Sequence, residues 1–485
     1  MLLGELSFAA GALDGIGSRF TDDTADDEAH LSKLFDDIRR NKISNWQALD
    51  ERITRRSCQK NIDNVLAGLK GTPTSRLKPE LFRHLALNSR DYEAVKWGIV
   101  IGAMDGAPDF RDNLLVLARH SEFTLYAVDA LLRQYSHAIE LKQDLLFLLT
   151  VTQGWGTIRL VEQILSDSCL QTDRSVQREC LIHGMEKCGG IPMEVAFTIA
   201  SNIDMDYFLV LGETDKRVFQ NFSWLMISLL TEPNPLGGLR ELPNGQAIFD
   251  KYFALLHRAE PDTYVLAGLR AMDFFVNDDE TTWADKSSAL RRIRSLLDER
   301  ATPEVLRTGL LDPSTRWVAL KITREKRVME LVPDVERLFL DTHDFSSIEV
   351  LSELGGSREL EILFQEIPKL VDVLERESRP LSQVNVIGVE HKNAFEYAAV
   401  VKSLGRLGTT DAIVALKRAF RDYDPLVRAA ACDAVRSLDR SKLDLEITDL
   451  IQERLGDKPQ FVVEAARRSA AWIGILDTGP SPKPS

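Results

Sequence analysis

The chain has 485 residues, of which 44% are hydrophobic and 7% aromatic, a composition that supports a continuous buried core. It carries 74 Asp and Glu against 60 Lys and Arg, so its formal net charge is −14. A protein of this charge repels phosphate backbones and anionic membranes, which argues against both as main partners. The acidic excess lies in residues 1–393, because residues 394–485 hold 14 basic and 13 acidic side chains.

Membrane insertion and secretion are both disfavoured by the sequence. The longest apolar run without charge, 145–151, is far shorter than the roughly 20 residues that cross a bilayer. The N-terminus carries Glu5 where a signal peptide needs basic residues. The five cysteines are odd in number and scattered, which is typical of reduced, mostly buried thiols and predicts a cytoplasmic protein. These are Cys58, Cys169, Cys180, Cys188 and Cys432.

The two ends of the chain differ from its middle. Residues 1–28 are rich in Gly and acids, and we expect an irregular, solvated lead-in that caps the fold before a first helix near 29–40. Residues 476–485 contain three prolines and little to bury, so we expect a disordered tail.

A spacing pattern recurs between these ends. Pairs of small or apolar residues occupy positions i and i+1 and again i+4 and i+5, which is one face of a helix. The pattern begins at Ala94, Ala127, Ala399, Ala430 and Ala465, with steps of 33 residues upstream and of 31 and 35 downstream. Small residues let stacked helices approach closely, so the pattern predicts a helical repeat array.

Two other features mark the repeats. Asp424-Pro425-x-x-Arg428 and Asp312-Pro313-x-x-Arg316 each precede a small-residue helix, and we expect the Asp to cap that helix and Arg428 to pair with a neighbouring repeat. Segments 231–246 and 377–392 break the period and are predicted to be long loops, where function is often found in such arrays.

Residues 405–438 combine Leu-Gly-x-Leu-Gly-x-x-Asp-Ala with Asp-Pro-x-Val-Arg-x-x-Ala. This segment closely resembles HEAT-like repeats of the phycobilisome-lyase type. The resemblance is clearest over 394–475 and moderate over 90–135, while periodicity carries a degenerate array through the rest of 29–390. It implies an all-α fold, a right-handed solenoid of antiparallel helical hairpins whose usual work is to hold another macromolecule.

One group of residues has the ligand types of a zinc site. Cys169, Cys180, His183 and Cys188 lie within twenty residues. If 175–188 is one helix, Cys180 and Cys188 are about 12 Å apart along its axis, too far for two ligands of one zinc ion. We therefore interpret them as buried structural residues and predict no metal.

Enzyme motifs are missing from the sequence. None of the eight histidines precedes Glu, so the iron-binding His-Glu dipeptides of HEAT-like metalloenzymes are lacking. The sequence also has no phosphate-binding Gly-rich loop, nucleophile elbow or His-Glu-x-x-His helix. We predict no catalytic residues and no cofactor.

A DNA-binding alternative remains open. HEAT-like glycosylases that remove alkylated bases use Trp, Asp and Arg on a basic surface, and this chain has candidates of those types. They are Arg291, Arg292, Arg294, Arg316, Trp317, Arg467 and Arg468. The acidic balance and the neighbouring acids argue for solvated arginines instead, and Trp97, Trp317 and Trp472 are interpreted as core.

The sequence therefore predicts a non-enzymatic scaffold or adaptor that binds a protein through an extended surface. The acidic residues 1–393 favour a partner with a basic face, which the protein would neutralise or regulate. The sequence names neither the binding residues nor the oligomeric state, and leaves open whether Arg316 and Trp317 lie on the surface or in the core.

Overall fold

The computed structural model describes residue 37 and residues 79–475, apart from 104–107, 136–138, 189–191, 232–236, 279–285, 357, 360, 364, 367–391 and 423. The predicted lead-in, the tail and nearly all of the 377–392 loop lie outside the described residues. Only Asp37 of the predicted first helix is described, and it is helical.

The described residues form α-helices and short 3₁₀ helices, with no strand among them. The helices of the first half are α1 Pro79–Asn88, α2 Tyr92–Ala103, α3 Pro108–Leu117, α4 Thr124–Tyr135, α5 Ile139–Val151, α6 Trp155–Ser166, α7 Arg174–Lys187, α8 Met193–Asn202, α9 Met205–Leu211, α10 Lys216–Thr231 and α11 Gly245–Arg258. Those of the second half are α12 Thr263–Asn277, α13 Lys286–Arg300, α14 Pro303–Leu311, α15 Arg316–Glu325, α16 Val332–Thr342, α17 Phe345–Leu354, α18 Lys392–Leu407, α19 Thr410–Ala419, α20 Pro425–Val435, α21 Leu445–Arg454 and α22 Gln460–Ile473. The all-α solenoid predicted from the sequence is confirmed.

The helices belong to two compact units. Among the described residues, 79–259 and 268–294 form the N-terminal unit, while 260–267 and 295–475 form the C-terminal unit. In the N-terminal unit α2, α4, α6 and α8 pack one on the next, and in the C-terminal unit α18, α20 and α22 do the same. These are the second helices of successive hairpins, and they carry the small-residue pattern. Of the two predicted long loops, 231–246 is partly described and contains a 3₁₀ helix, Leu239–Glu241.

The local signals act largely as the sequence predicts. Asp424 is the N-cap of α20 and accepts a hydrogen bond from the Leu426 amide, with Pro425 at the first helical position. Gly408, at φ +57°, follows α18, and Thr409 caps α19. The capping role predicted for Asp312 is wrong. Asp312 ends α14 and binds the Ser314 amide, while Thr315 occupies the N-cap of α15, because the chain makes an extra turn before that helix starts.

The small-residue pattern is explained by contact between neighbouring helix backbones. Gly405 lies in α18 against α20, and a Cβ at that position would overlap the backbone carbonyl of Ala434. Gly98 in α2 is similar, since its Cβ would lie within 3 Å of the Phe82 carbonyl oxygen and the Ala86 Cα in α1. Larger side chains at these positions would force the helices apart.

Two arginines, on α15 and α20, make the same pair of contacts. Arg428 donates to the Asp422 carbonyl, six residues back, at 3.0 Å and to the Asp457 carboxylate ahead at 2.7 and 2.9 Å. Arg316 donates to the Leu310 carbonyl, also six residues back, at 3.0 Å and to Asp344 ahead at 3.2 Å. We call each arrangement an arginine staple, because one guanidinium ties the turn before its own helix to the next repeat. The predicted pairing of Arg428 is confirmed.

We expect Gly405→Ala to lower the free energy of unfolding by about 2 kcal/mol or more, because the added methyl group meets backbone that must shift. Urea denaturation measures this change. Gly456→Ala is the matched control, since its Cβ would meet only the Glu453 carbonyl oxygen, at 3.6 Å. Equal stability of the two variants would contradict the close approach of α18 and α20.

We expect Arg428→Ala to cost about 2 kcal/mol at pH 7, because it leaves a nearly buried carboxylate with fewer donors. Arg467→Ala, on an exposed side chain of α22, should cost much less.

The Arg428 contribution should also depend on pH. The hydrogen bond from Arg428 lowers the pKa of Asp457 below its usual range. A lowered carboxyl pKa means that the stabilisation is complete above the unfolded-state pKa near 4 and is lost as the pH falls through the folded-state value. The stability gap between wild type and Arg428→Ala should therefore narrow below about pH 4. A gap that widens in acid would contradict this assignment.

Candidate interaction surface

The Cys and His residues of the hypothetical zinc site are spread along α7 and the turn before it. Cys180 lies inside α7 and Cys188 follows its last residue, so the single helix expected there is confirmed. Cys180, Cys188 and Cys432 are buried free thiols, while Cys169 is exposed, so its interpretation as a buried residue is wrong. Burial raises the pKa of Cys432 to about 12 and that of Cys180 further, so neither is a thiolate at neutral pH. Among the described residues no group of three or more His, Cys, Asp or Glu is placed to hold a metal ion.

His183 instead pairs within α7, beside a polar contact between α7 and α10. Its Nε2 lies 3.3 Å from Glu179, and burial lowers its pKa. One turn further, Glu186 accepts two hydrogen bonds from Arg217 at 2.9 and 2.7 Å and one from Asn221 at 3.0 Å. The bond from Arg217 lowers the pKa of Glu186, which is therefore charged and fully paired. The arrangement joins two helices and leaves no nucleophile beside a base.

In the C-terminal unit, the basic residues considered for DNA binding are mostly paired with acids. Arg316 is a staple, and its side chain is only 17% exposed. Arg468 pairs with Asp433 at 3.1 Å, while Arg467 is exposed. Trp317 is 41% exposed, so its interpretation as core is wrong: it precedes the buried run of α15 and faces outward. The core interpretation is confirmed for Trp97, which is fully buried in the N-terminal unit.

The N-terminal unit contains the other three arginines considered for DNA binding. Arg294 pairs with Asp273 at 2.6 Å, and the Arg292 guanidinium lies over the Phe253 ring at 4.9 Å. Arg291 is exposed. The flagged arginines thus do not form a run of unpaired positive charge within this unit.

Ion pairs between successive repeats neutralise many of the described basic residues. Each joins a basic residue to an Asp 27 to 37 positions later. They are Arg111–Asp144, Lys142–Asp173, Arg174–Asp204, Arg178–Asp215, Arg316–Asp344, Lys417–Asp444 and Arg428–Asp457. Asp173, Asp204, Asp344 and Asp444 are also helix N-caps, so one carboxylate starts its own helix and binds the previous repeat.

The first three hairpins expose apolar residues in register. Leu87, Val116 and Phe147 lie at steps of 29 and 31 residues on α1, α3 and α5, and they are 47%, 61% and 47% exposed. Each comes two residues after a fully buried leucine, and two residues turn a helix by about 200°. The three side chains therefore point away from the core, and core packing does not explain them.

Aromatic and cationic contacts link these positions across the hairpins. Tyr92, 60% exposed at the start of α2, lies 5.8 Å from the Phe123 ring and 6.2 Å from the His120 ring of the next hairpin. The Arg119 guanidinium lies 5.3 Å from the centre of the Phe147 ring, one hairpin further. We call the set Leu87, Tyr92, Val116, Arg119, Phe147 and Val151 the aromatic edge.

Basic side chains without carboxylate partners border the aromatic edge. Arg90 and Arg119 follow the ends of α1 and α3, and both are exposed. Lys187, the last residue of α7, donates to the Thr150 carbonyl at the end of α5. The acids nearby are Asp91, whose carboxylate accepts from the Ala94 amide, exposed Asp112, one turn before Val116, and Glu93 and Glu122, which both pair with Lys96. Tyr and Arg are among the residue types enriched at protein interfaces.

Sequence reasoning missed the aromatic edge because it looked for function where the period fails. The edge lies where the period holds. The signal in the sequence is a large apolar residue that recurs at a solvent-facing position of the first helix in consecutive hairpins. The packing of a single hairpin does not require an apolar residue at that position.

No described helix is both long and apolar enough to cross a bilayer.

One family model matches part of the chain. Residues 389–472 match the family model of HEAT repeats, which coincides with the segment 394–475 singled out from its motifs. No curated protein matches the chain. Among solved structures, the chain is similar to the crystal structure of an engineered protein, at 15% identity and a TM-score of 0.30 over 92% of this chain and 99% of that one. The chain is an all-α helical-repeat protein, and its residues 389–472 match the model of HEAT repeats.

Proposed function

We propose that this protein is a binding scaffold that holds a protein partner on the aromatic edge of its N-terminal unit. The observation that carries the proposal is the exposure of Leu87, Val116 and Phe147 in register on three consecutive hairpins. Large apolar side chains on a repeat surface are stabilised by a partner that removes them from water. Tyr92 and Arg119 supply the residue types that dominate binding energy at interfaces.

Binding is favoured over catalysis by the state of the titratable groups. The buried thiols of Cys180 and Cys432 have raised pKa values, His183 pairs with Glu179 within α7, and Glu186 is held in a contact between α7 and α10. We therefore propose an adaptor rather than an enzyme. The free thiols also support a reducing compartment, and a cytoplasmic location is part of the proposal.

A protein partner is favoured over DNA because Arg316, Arg294 and Arg468 are each neutralised by a carboxylate. A nucleic-acid surface needs a run of unpaired basic side chains. These three arginines are paired with acids instead.

The charge of −14 supports attraction of a basic partner at long range. Exposed charges are screened over about 8 Å at physiological ionic strength, so the contact itself is set by the residues of the binding surface. Regulation or neutralisation of a basic protein remains a specific form of the proposal.

Site-specific photocrosslinking in an extract of the native host tests the aromatic edge. A benzophenone amino acid in place of Val116 should give a discrete protein adduct. The matched control is the same replacement of Val414, a 45% exposed valine on α19 of the C-terminal unit, and it should not give that adduct. Tyr92→Ala together with Phe147→Ala should weaken the captured interaction at least tenfold, because each removes an aromatic anchor worth about 1 to 2 kcal/mol. Equal crosslinking at both positions would count against the aromatic edge.

A further inference from the structure

The aromatic edge also indicates the shape of its occupant, an inference that rests on the proposed function. We propose that the edge binds an amphipathic α-helix of the partner, about four turns long, with an apolar stripe at every seventh residue and acidic side chains along one flank. The repeat spacing determines the shape and the unpaired cations determine the charge.

The helical shape follows from the spacing of the hairpins. Leu87, Val116 and Phe147 lie on successive hairpins that stack through α2, α4 and α6, and packed helices are about 10 Å apart. A helix rises 1.5 Å per residue, so residues i, i+7 and i+14 lie on one face about 10.5 Å apart. An extended strand places same-face residues about 7 Å apart and loses register after the first contact. One helix of about 15 residues can therefore contact all three positions.

The acidic flank follows from the basic residues beside these anchors. Arg90 lies two residues after the end of α1, and Arg119 lies two residues after the end of α3. The two arginines are therefore 29 residues apart, as are Leu87 and Val116. Lys187 continues the series beside the end of α5 through its contact with Thr150. Among the described residues none of the three has a carboxylate partner, whereas the cation of each staple and each cross-repeat ion pair named above has one. An acidic flank would supply those partners without disturbing the ion pairs that hold the repeats together.

The contact between Arg119 and Phe147 determines the orientation of the bound helix. The guanidinium covers one face of the ring and keeps its remaining N–H groups available to an acceptor. A carboxylate on the bound helix would therefore meet Arg119 while an aliphatic side chain meets Phe147. Adjacent charged and apolar contacts of this kind fix the direction in which the helix lies.

Selection from a random library of 16-residue peptides displayed on phage, with the full chain as bait, tests the inference. Enriched peptides should carry Leu, Ile, Phe or Met at seven-residue spacing and an excess of Asp and Glu. In fluorescence anisotropy titrations of the synthesised peptides, Arg119→Glu and Val116→Ser should each weaken binding at least tenfold. Val414→Ser is the matched control and should leave the affinity unchanged, since it removes an exposed valine from the other unit.

The outcomes separate this inference from the proposed function. Peptides that depend on Val116 but are basic, or lack the seven-residue spacing, would overturn the helical acidic occupant and leave the aromatic edge as a binding site. Recovery of no peptide that depends on Val116 would contradict both. Circular dichroism of the enriched peptides should show helix induced by the protein, and an unchanged coil signal at saturation would overturn the inference.

Discussion

The repeats are held in register by carboxylates that serve two helices at once. An Asp at the start of a helix satisfies free backbone amides of that helix and accepts a hydrogen bond from a Lys or Arg of the preceding repeat, as Asp173, Asp344 and Asp444 do. At these positions one carboxylate both starts its helix and binds the preceding repeat. The arginine staples add a second tie, because Arg316 and Arg428 also bind a carbonyl six residues back in their own repeat. The stability of such an array is approximately the sum of the stabilities of the single repeats and of the interaction energies between neighbouring repeats. The contacts described here contribute to the energies between repeats.

This use of charge has a consequence for function. A surface rich in arginine suggests nucleic acid when only the sequence is considered, but Arg316, Arg294 and Arg468 are occupied within the protein. Arg90 and Arg119 have no carboxylate partner among the described residues and lie beside exposed apolar side chains. This combination of unpaired charge and exposed apolar residues is the basis on which we propose a binding surface here.

Much of the fold could be predicted from the sequence, since small residues at Ala430 and Gly405 report directly on helix contacts. The cap at Asp424 could be predicted for the same reason, because its mechanism is local. The cap at Asp312 could not, since an identical Asp-Pro pair is followed there by an additional turn that only the packing of α14 on α15 determines. Trp317 was misplaced because a helical pattern gives the face of a residue only when the start of the helix is known. The aromatic edge needed the structure, because exposure of Phe147 depends on which helix face the neighbouring hairpins cover.

The account depends on the aromatic edge being the place where the partner docks. Hydrogen–deuterium exchange of the full chain, alone and saturated with the partner captured from the host, tests this directly. Protection on binding should concentrate at 85–92, 114–123 and 145–153, the segments that contain the edge. Protection centred instead on α15 or α22, where Trp317 and Arg467 are exposed, with the three N-terminal segments unchanged, would contradict it.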